Sequence, residues 1–385
     1  MKRRELLLAS ALAAAGCATT RQPHESLEQL LYRYGDRGFK QVLDRRAEYG
    51  LQIILTRLER PFGEPRLETQ TLYGSADRWF WPASLIKLPL AALALERLEA
   101  MRWPLIARLA FSARPVCVGE PEPMPQSAGD DVSRLIERAL IVSDNFASNQ
   151  LYDFLGAEEI NRRLAELGYQ SARIVGRLAF CTPQQQRQAP AYQVQDRAGA
   201  VLSSVPERID AGRRSPPLGP ILRGRGYIEN GQLIEKPRDF SNGNFLALSD
   251  VHQMLIALLA PQSVQPAQRF ALSKQALRFL KRTLGTLPRE AGFNEETYPD
   301  NWAKFLCIGD RPGRISSGLK IHNKTGQAFG YLSDVAHIQT FDRELFLSAS
   351  IYVNANGIYN DDRYEYDEIG FKFLGQLGRI LSAHA

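Results

Sequence analysis

The 385-residue sequence has a globular composition, with 44% hydrophobic and 23% charged residues, and it is long enough to bury a substantial core. The net charge of +6 is small for this length and the sequence has no long basic run, which argues against nucleic-acid binding. The five histidines are isolated, and no Cys/His set has metal-ligand spacing, so we predict neither a metal site nor a cofactor.

The chain begins with the features of a bacterial export signal. Three basic residues, Lys2-Arg3-Arg4, precede an apolar run over Leu6–Ala15 that is too short to span a bilayer comfortably. The run leads through small residues to Cys17, in a segment that resembles a lipobox, where the cysteine is acylated. We predict a signal peptide over residues 1–16, a linker over 17–24, and an exported protein, periplasmic or anchored in the bacterial envelope through a lipid on Cys17. The alternative is an ordinary signal peptide with an incidental cysteine.

The first predicted elements of the mature chain are a helix and two strands. An amphipathic pattern indicates one helix from His24 to about Glu48. Strand-like segments follow over 51–58 and 68–80, separated by a turn-rich stretch. A nearly all-apolar segment over 85–95 then predicts a helix that is buried on most sides.

The middle of the chain, about 104–264, has a helical pattern with long loops. Helices are predicted over 131–142, 146–155 and 157–167. The stretch from about 170 to 245 is the least regular and is rich in Gln, Arg, Pro and Gly. A segment of this length without regular structure predicts a functional lid or a mobile insertion.

Helices and strands resume in the last part of the chain. Helices are predicted over 248–259, 273–284 and 366–381, and strands over 319–324, 328–339 and 345–353. Strands near both ends of the sequence that enclose a helical middle predict an α/β (α+β) fold. The active site is expected in the cleft between the sheet and the helical region.

Three cysteines follow the predicted signal peptide: Cys117, Cys181 and Cys307. The odd number leaves at least one of them unpaired within the chain. None has a neighbour that marks it as a nucleophile, so we predict that they are buried apolar side chains rather than reactive groups.

The segment Ser84-Leu85-Ile86-Lys87 opens the apolar helix. Residues three apart share one face of a helix, which brings the Ser84 hydroxyl and the Lys87 amine within reach of each other. A lysine whose pKa is lowered by its surroundings can activate a serine as a nucleophile. The alternative is a capping serine with Lys87 in solvent. Lys87 is, however, the only charge between Pro82 and Leu95, and a buried lysine requires a partner or a task.

Two further motifs lie far along the chain. Ser143-Asp144-Asn145 falls between two predicted helices, and the alternative there is a plain interhelical turn. Lys324-Thr325-Gly326 falls on a predicted strand and is followed by Gln327; the alternative is a hairpin with an exposed lysine. A strand edge beside a nucleophile is also a place where an extended substrate can pair with the backbone.

Taken together, S-x-x-K, S-D-N and K-T-G, in this order on a helix, an interhelical loop and a strand, resemble the signature of class A β-lactamases and penicillin-binding proteins. The resemblance covers roughly residues 25–385. It implies one serine hydrolase domain over this range, in which an antiparallel sheet is flanked by the terminal helices and joined to a mostly helical subdomain.

The resemblance also implies a role for each matching residue. Ser84 would attack the substrate carbonyl, Lys87 would be the acylation base or part of the proton relay, and Ser143 would pass a proton to the leaving nitrogen. Lys324 and Thr325 would bind the substrate carboxylate, and the backbone N–H groups of Ser84 and Gln327 would form the oxyanion hole. The implied substrate-binding residues are Asn145, Thr325, Gly326 and Gln327.

The sequence departs from class A β-lactamases at the residue that activates the deacylating water. The family has a glutamate on a loop after the second motif, whereas residues 174–183 contain no acid. Glu229, Glu235 or Asp239 of the insertion are possible substitutes. Without such a base, acylation by a β-lactam is expected to be followed by slow hydrolysis.

Three functions agree with these features. The first is a serine hydrolase with β-lactam substrates. The second is a D-alanyl-D-alanine peptidase or transpeptidase that acts on cell-wall peptides, which the missing glutamate favours. The third is a non-catalytic envelope protein that binds such peptides, against which the intact Ser84, Lys87, Ser143 and Lys324 argue.

Overall fold

The computed structural model describes residues 25–59, 65–74, 78–112, 117–118, 130–210 and 215–385. The predicted signal peptide, the lipidation site at Cys17 and the linker therefore lie outside the described residues. None of the helices in the described part of the chain has both the length and the apolar character needed to cross a bilayer.

The helices of the described residues are α1 Leu27–Tyr34, α2 Arg37–Asp44, α3 Lys87–Ala100, α4 Val132–Ile141, α5 Asn145–Leu155, α6 Ala157–Glu166, α7 Pro183–Arg187, α8 Leu248–Leu259, α9 Lys274–Gly285 and α10 Phe371–His384. The strands are β1 Gln52–Glu59, β2 Arg66–Leu72, β3 Arg108–Phe111, β4 Gln188–Ala189, β5 Tyr192–Gln195, β6 Val201–Val205, β7 Arg208–Ile209, β8 Leu222–Arg223, β9 Gly226–Glu229, β10 Gln232–Ile234, β11 Arg238–Asp239, β12 Lys320–Ala328, β13 Tyr331–Gln339, β14 Glu344–Tyr352 and β15 Ile358–Tyr359.

The main sheet is antiparallel, with the strand order β12-β13-β14-β1-β2. Its central strands are buried on both faces because helices cover both. Side chains alternate along a strand, so Ile53 and Leu55 of β1 pack against α1, α2 and α10, whereas Ile54 and Leu58 pack with the helical region. The predicted fold class, an α+β arrangement with flanking terminal helices, is confirmed.

The helical region is built around α3. Its apolar side chains leave little polar surface, and nearly all of the helix is buried against α4, α5, α6 and α8. Aspartates begin two of the surrounding helices. Asp131 accepts a hydrogen bond from the Arg134 backbone N–H at 3.0 Å and starts α4, and Asp144 starts α5 in the same way. This region brings the predicted nucleophile segment to the edge of the sheet.

The prediction of one helix from His24 to about Glu48 is wrong, because the chain turns between α1 and α2. Gly35 is extended, and a Cβ there would lie 2.4 Å from the Phe39 ring. Asp36 then accepts a hydrogen bond from the Phe39 N–H at 2.8 Å and starts the second helix. The strand predicted over 68–80 ends at Leu72, where the next residue, Tyr73, has a φ of 61°.

The segment 170–245 is more regular than its composition suggests. It contains α7 and the short strands β4–β11, which form small two- and three-stranded sheets with one another, with β3 and with β15. The irregular insertion predicted over about 170–245, within the helical region 104–264, therefore contains short strands between about 188 and 239. Strands of two to five residues are too short to leave a periodic pattern in the sequence.

Two of the three cysteines form a disulfide. Cys117 and Cys181 are joined, so the prediction that all three cysteines are buried apolar side chains is wrong for this pair. The backbone of Val118 pairs with that of Phe180 beside this bridge. Cys307 remains as the unpaired cysteine and is buried, as predicted.

Candidate active site

Ser84 lies on a 3-10 turn, Ala83–Ile86, that leads directly into α3. The preceding residue, Ala83, has a φ of 44°, a left-handed conformation that costs energy for a residue with a Cβ. Ser84 is half-buried and faces a cleft, while its neighbours Leu85 and Ile86 are buried in the core. The turn thus presents one hydroxyl at the base of a cleft.

Lys87 is fully buried one turn after Ser84. Its Nζ donates to the backbone oxygen of Ser143 at 2.5 Å, to Oγ of Ser143 at 3.1 Å and to Oδ1 of Asn145 at 2.6 Å. Burial, and then the positive charge of Lys324, hold the pKa of Lys87 well below its usual range, although Asp144 opposes them. A neutral amine has a lone pair and can accept a proton.

The loop between α4 and α5 holds Ser143 with a φ of 59°. Asp144 fixes this conformation because its Oδ1 accepts hydrogen bonds from the N–H groups of Phe146 at 2.8 Å and Ala147 at 3.4 Å. The Arg138 guanidinium, 2% exposed, in turn donates to Asp144 at 2.8 Å and to Asp130 at 2.5 Å. The segment is therefore an interhelical turn, as the alternative interpretation predicted. The same turn also places the Ser143 hydroxyl within hydrogen-bonding distance of Lys87 and Lys324.

Lys324 reaches the same hydroxyl from the sheet. Its Nζ donates to Oγ of Ser143 at 2.9 Å and to the Thr325 backbone oxygen at 3.0 Å. The side chain is 1% exposed, so the alternative of a lysine in solvent does not apply. Burial lowers the pKa of Lys324 to about 7, with Lys304 acting in the same direction and Asp334 against it.

Gly326 brings β12 against the turn that carries Ser84. A Cβ at this position would lie 2.6 Å from the Pro82 backbone oxygen and 2.7 Å from Oγ of Ser333. Close approach of two backbones is a reason for glycine in a strand. Thr325 is 3% exposed and is not part of the described cleft lining, whereas Gln327 lines the cleft together with Ser84.

The cleft has a volume of about 880 Å³. Of the predicted site residues, Ser84, Asn145 and Gln327 lie on its surface, while Lys87 and Lys324 are buried beneath it. The rest of the described lining comes from the start of the 3-10 turn, the loop around 173–187, residues 215–216 and 238–244 of the insertion, and the end of β12. These residues are Trp81, Ala83, Arg173, Val175, Gly176, Arg177, Leu178, Ala179, Phe180, Cys181, Pro183, Gln186, Arg187, Ser215, Pro216, Arg238, Asp239, Phe240, Asn242, Gly243, Asn244, Ala328 and Phe329.

Side chains outside the three sequence motifs hold the loop at the cleft rim. The buried Arg177 guanidinium pairs with Asp153 of α5, with Nε 2.7 Å from Oδ1. Oδ1 of Asn149 accepts from the Leu178 N–H at 2.8 Å, and Oδ1 of Asn244 accepts from the N–H groups of residues 175 and 176. In the sequence, the polar residues Asn149 and Asp153 among the apolar positions of α5 are the signal that could have indicated this role.

Asp239 is the single carboxylate among the described residues that line the cleft. It is exposed, and its Oδ1 accepts a hydrogen bond from the Ser241 N–H at 2.8 Å. Glu229 and Glu235, the other two proposed substitutes for the missing glutamate, do not belong to the described lining. Groups of three or more His, Cys, Asp or Glu side chains placed to hold a metal ion do not occur in the described part of the chain.

Solved structures of β-lactamases share this fold. The β-lactamase of Xanthomonas campestris pv. campestris is 15% identical, with 93% of this chain and 98% of that chain covered and a TM-score of 0.50. The chromosome-encoded β-lactamase of Vibrio parahaemolyticus is 13% identical, with 90% and 98% covered and a TM-score of 0.51. A variant of the last common ancestor of Gram-negative bacteria class A β-lactamases is 15% identical, with 90% and 98% covered and a TM-score of 0.52.

The fold and the two serines and two lysines at its centre thus define a β-lactamase-type serine hydrolase architecture. The model of the beta-lactamase enzyme family matches residues 66–385, and the chain belongs to this family. No curated protein is similar enough in sequence to count as a match.

Proposed function

We propose that the protein is a serine hydrolase that β-lactams acylate at Ser84, and that it hydrolyses the β-lactam amide slowly. The observation that carries this proposal is the position of one hydroxyl, Oγ of Ser143, within hydrogen-bonding distance of both Lys87 and Lys324. This arrangement lies directly beside the turn that presents Ser84 to the cleft.

In the proposed reaction, neutral Lys87 takes the proton from Ser84 as Oγ bonds to the β-lactam carbonyl carbon. The carbonyl oxygen gains negative charge, which the backbone N–H groups of Ser84 and Gln327 stabilise. The C–N bond then breaks, and the leaving nitrogen receives a proton through Ser143, which lies within reach of both lysines. Lys324 contributes positive charge for the substrate carboxylate, and Asn145 holds the substrate amide.

The described lining of the cleft contains few groups that could act as a base in deacylation. Hydrolysis of the Ser84 ester requires a base that activates water. Asp239 is exposed and is the single described carboxylate of the lining, so we propose that the acyl-enzyme is long-lived. Asp239→Asn should lengthen its lifetime further if Asp239 supplies weak base catalysis.

A cell-wall D-alanyl-D-alanine peptidase or transpeptidase is the second candidate. It would use the same Ser84, Lys87 and Ser143 chemistry, and the scarcity of carboxylates in the described lining favours it. In a transpeptidase an amine from a second peptide, rather than water, accepts the acyl group. A non-catalytic envelope protein that binds wall peptides is the third candidate, and it requires no acylation at all.

We also propose that the protein is exported and anchored to a membrane through a lipid on Cys17. The Cys117–Cys181 disulfide supports export, because disulfides persist in oxidising compartments. Labelling with a radioactive fatty acid, compared between the wild type and Cys17→Ser, would test the anchor. Equal labelling of the two proteins would contradict it.

Covalent labelling by a fluorescent penicillin tests the acylation. We expect a labelled band that Ser84→Ala abolishes and that the exposed control Ser317→Ala leaves unchanged. Absence of Ser84-dependent labelling would refute acylation. Parallel assays of nitrocefin turnover and D-alanine release separate the three functions, and rapid nitrocefin hydrolysis would refute the long-lived acyl-enzyme.

A further inference from the structure

Three aromatic rings form one wall of the cleft. The ring centroids of Trp81, Phe240 and Phe329 lie 5.3 to 5.5 Å apart in tilted or edge-to-face contacts. Trp81 stands three residues before Ser84, and Phe329 stands two residues after Gln327. Phe240 comes from the insertion, which therefore contributes directly to the surface beside the nucleophile.

A cation lies against this wall. The guanidinium of Arg238 is 4.9 Å from the centroid of the Phe329 ring, and 5.5 and 5.6 Å from those of Tyr227 and Phe240. Arg238 is half-buried and lines the cleft. Within the described residues it has no carboxylate at ion-pair distance, whereas Arg177, which also lines the cleft, is paired with Asp153.

Arg173 is a second cationic side chain in the lining of the cleft. Arg173 is 7% exposed, lines the cleft, and donates from one terminal nitrogen to the backbone oxygens of Ser241 and Gly243. Its Nε has no partner in the described residues, and it forms no ion pair with a described carboxylate. Asp239 also lines the cleft and Glu229 acts on Arg238 through space, but within the described residues neither carboxylate forms an ion pair with Arg238 or Arg173.

The direction of the substrate follows from the proposed function. Lys324 near the middle of β12 binds the carboxylate on the leaving side, so the acyl portion extends the other way, past Gln327 towards Phe329. Arg238 and the three rings meet the substrate there. An anionic group would find an unpaired guanidinium, and an adjacent apolar or aromatic group would pack on the rings.

We propose that Arg238 is a specificity-determining residue that binds an anionic group on the acyl side of the substrate, next to an aromatic or apolar group held by Trp81, Phe240 and Phe329. This inference rests on the proposed function for the orientation of the substrate. It does not depend on the rate of acylation or deacylation.

A matched pair of ligands isolates the anionic group. Carbenicillin and benzylpenicillin share the phenyl ring and the bicyclic nucleus, and differ by one carboxylate on the side chain. Binding should be measured by calorimetry in the Ser84→Ala protein, which cannot be acylated, with and without Arg238→Gln. We expect tighter binding of carbenicillin, and Arg238→Gln should reduce this preference roughly tenfold, as the loss of one charge-assisted hydrogen bond does.

Two further variants provide controls. Arg238→Lys keeps the charge and should retain part of the preference. Arg223→Gln removes the same charge from the residue paired with Arg238 on β8, outside the described cleft lining, and should retain all of it. An equal preference with and without the Arg238 guanidinium would overturn the inference, as would failure of both penicillins to bind. An Arg238-dependent preference in a protein whose Ser84 is never labelled would instead refute acylation at Ser84, while Arg238 would remain an anion-binding residue of the cleft.

Discussion

Lys87 and Lys324 share one hydrogen-bond acceptor, Oγ of Ser143, at 3.1 and 2.9 Å. Two buried ammonium groups around one hydroxyl repel each other, and burial lowers the pKa of each. The pair is therefore best accommodated with one amine neutral. Because the Ser143 hydroxyl contacts both, a proton can pass between the helical region and the sheet without a large movement of either.

The charge on Lys324 gives acylation a pH dependence. Its pKa is about 7, so we expect the rate of Ser84 labelling to fall as the pH rises through this value and Lys324 becomes neutral. Lys324→Arg keeps its charge in this range, because a guanidinium does not titrate there, and should move the fall to higher pH. The measurement is the labelling rate by a fluorescent penicillin against pH. The same midpoint in both proteins would show that Lys324 is not the titrating group.

Asp144 couples the stability of the helical region to the position of Ser143. Asp144→Ala removes a helix cap and one of the two carboxylates that pair with buried Arg138, which should lower the free energy of unfolding by about 2–4 kcal/mol. Acylation should slow as well, because Ser143 loses its support. Asp131→Ala is the matched control: it removes a cap from α4 and should cost only about 1 kcal/mol. Urea unfolding and labelling rates measure both effects, and equal losses in the two variants would contradict the assigned role.

Gly326 is expected to tolerate no side chain. In Gly326→Ala the new methyl group would press on the Pro82 backbone oxygen and on Ser333, and we expect a loss of about 1–3 kcal/mol from overpacking. The strain falls on the turn that carries Ser84, so the labelling rate should fall too. Gly318→Ala, where the nearest atom is 4.0 Å away, should stay within about 0.5 kcal/mol of the wild type. Unchanged labelling in Gly326→Ala would show that the turn adjusts freely.

The disulfide should stabilise the rim of the cleft. Cys117 and Cys181 are 64 residues apart, and breaking a crosslink of this span typically costs about 2–4 kcal/mol. We expect a reducing agent to lower the melting temperature and to weaken penicillin binding, because Cys181 lines the cleft. The double variant Cys117→Ser/Cys181→Ser should reproduce both effects and be insensitive to the reductant. A reductant effect that persists in this variant would point to another cause, such as the buried Cys307.

Much of the fold followed from local patterns in the sequence. The helices α4, α5, α6, α8 and α9 and the three strands β12–β14 lie close to their predicted ranges, because long periodic segments carry a clear signal. The three short motifs also led to residues that meet in space, since their order along the chain matches a known arrangement. Lys87, Ser143, Asn145 and Lys324 are joined by direct hydrogen bonds.

Features that depend on contacts between distant segments were not accessible from the sequence. The pairing of Cys117 with Cys181 requires that two loops meet, and no local pattern records such a meeting. The stacking of Arg238 on Phe329 likewise joins the insertion to the end of β12. The break at Gly35 was missed because the apolar spacing continues across it, although a glycine followed by a capping aspartate is a recognisable signal.

The residues around the cleft have two roles: some hydrogen-bond or crosslink the backbone, and others place a ring or a charge on the cleft wall. Asn244, Asn149 and the disulfide fix the path of the chain, whereas Trp81, Arg238 and the rings beside them present chemistry to the interior. Natural selection or directed evolution can therefore change which compounds are recognised by altering the second group alone, without rebuilding the framework. Arg238 and Phe240 belong to the insertion, so substitutions in this part of the chain would alter the cleft wall while the strand and the turn that carry the other site residues stay as they are.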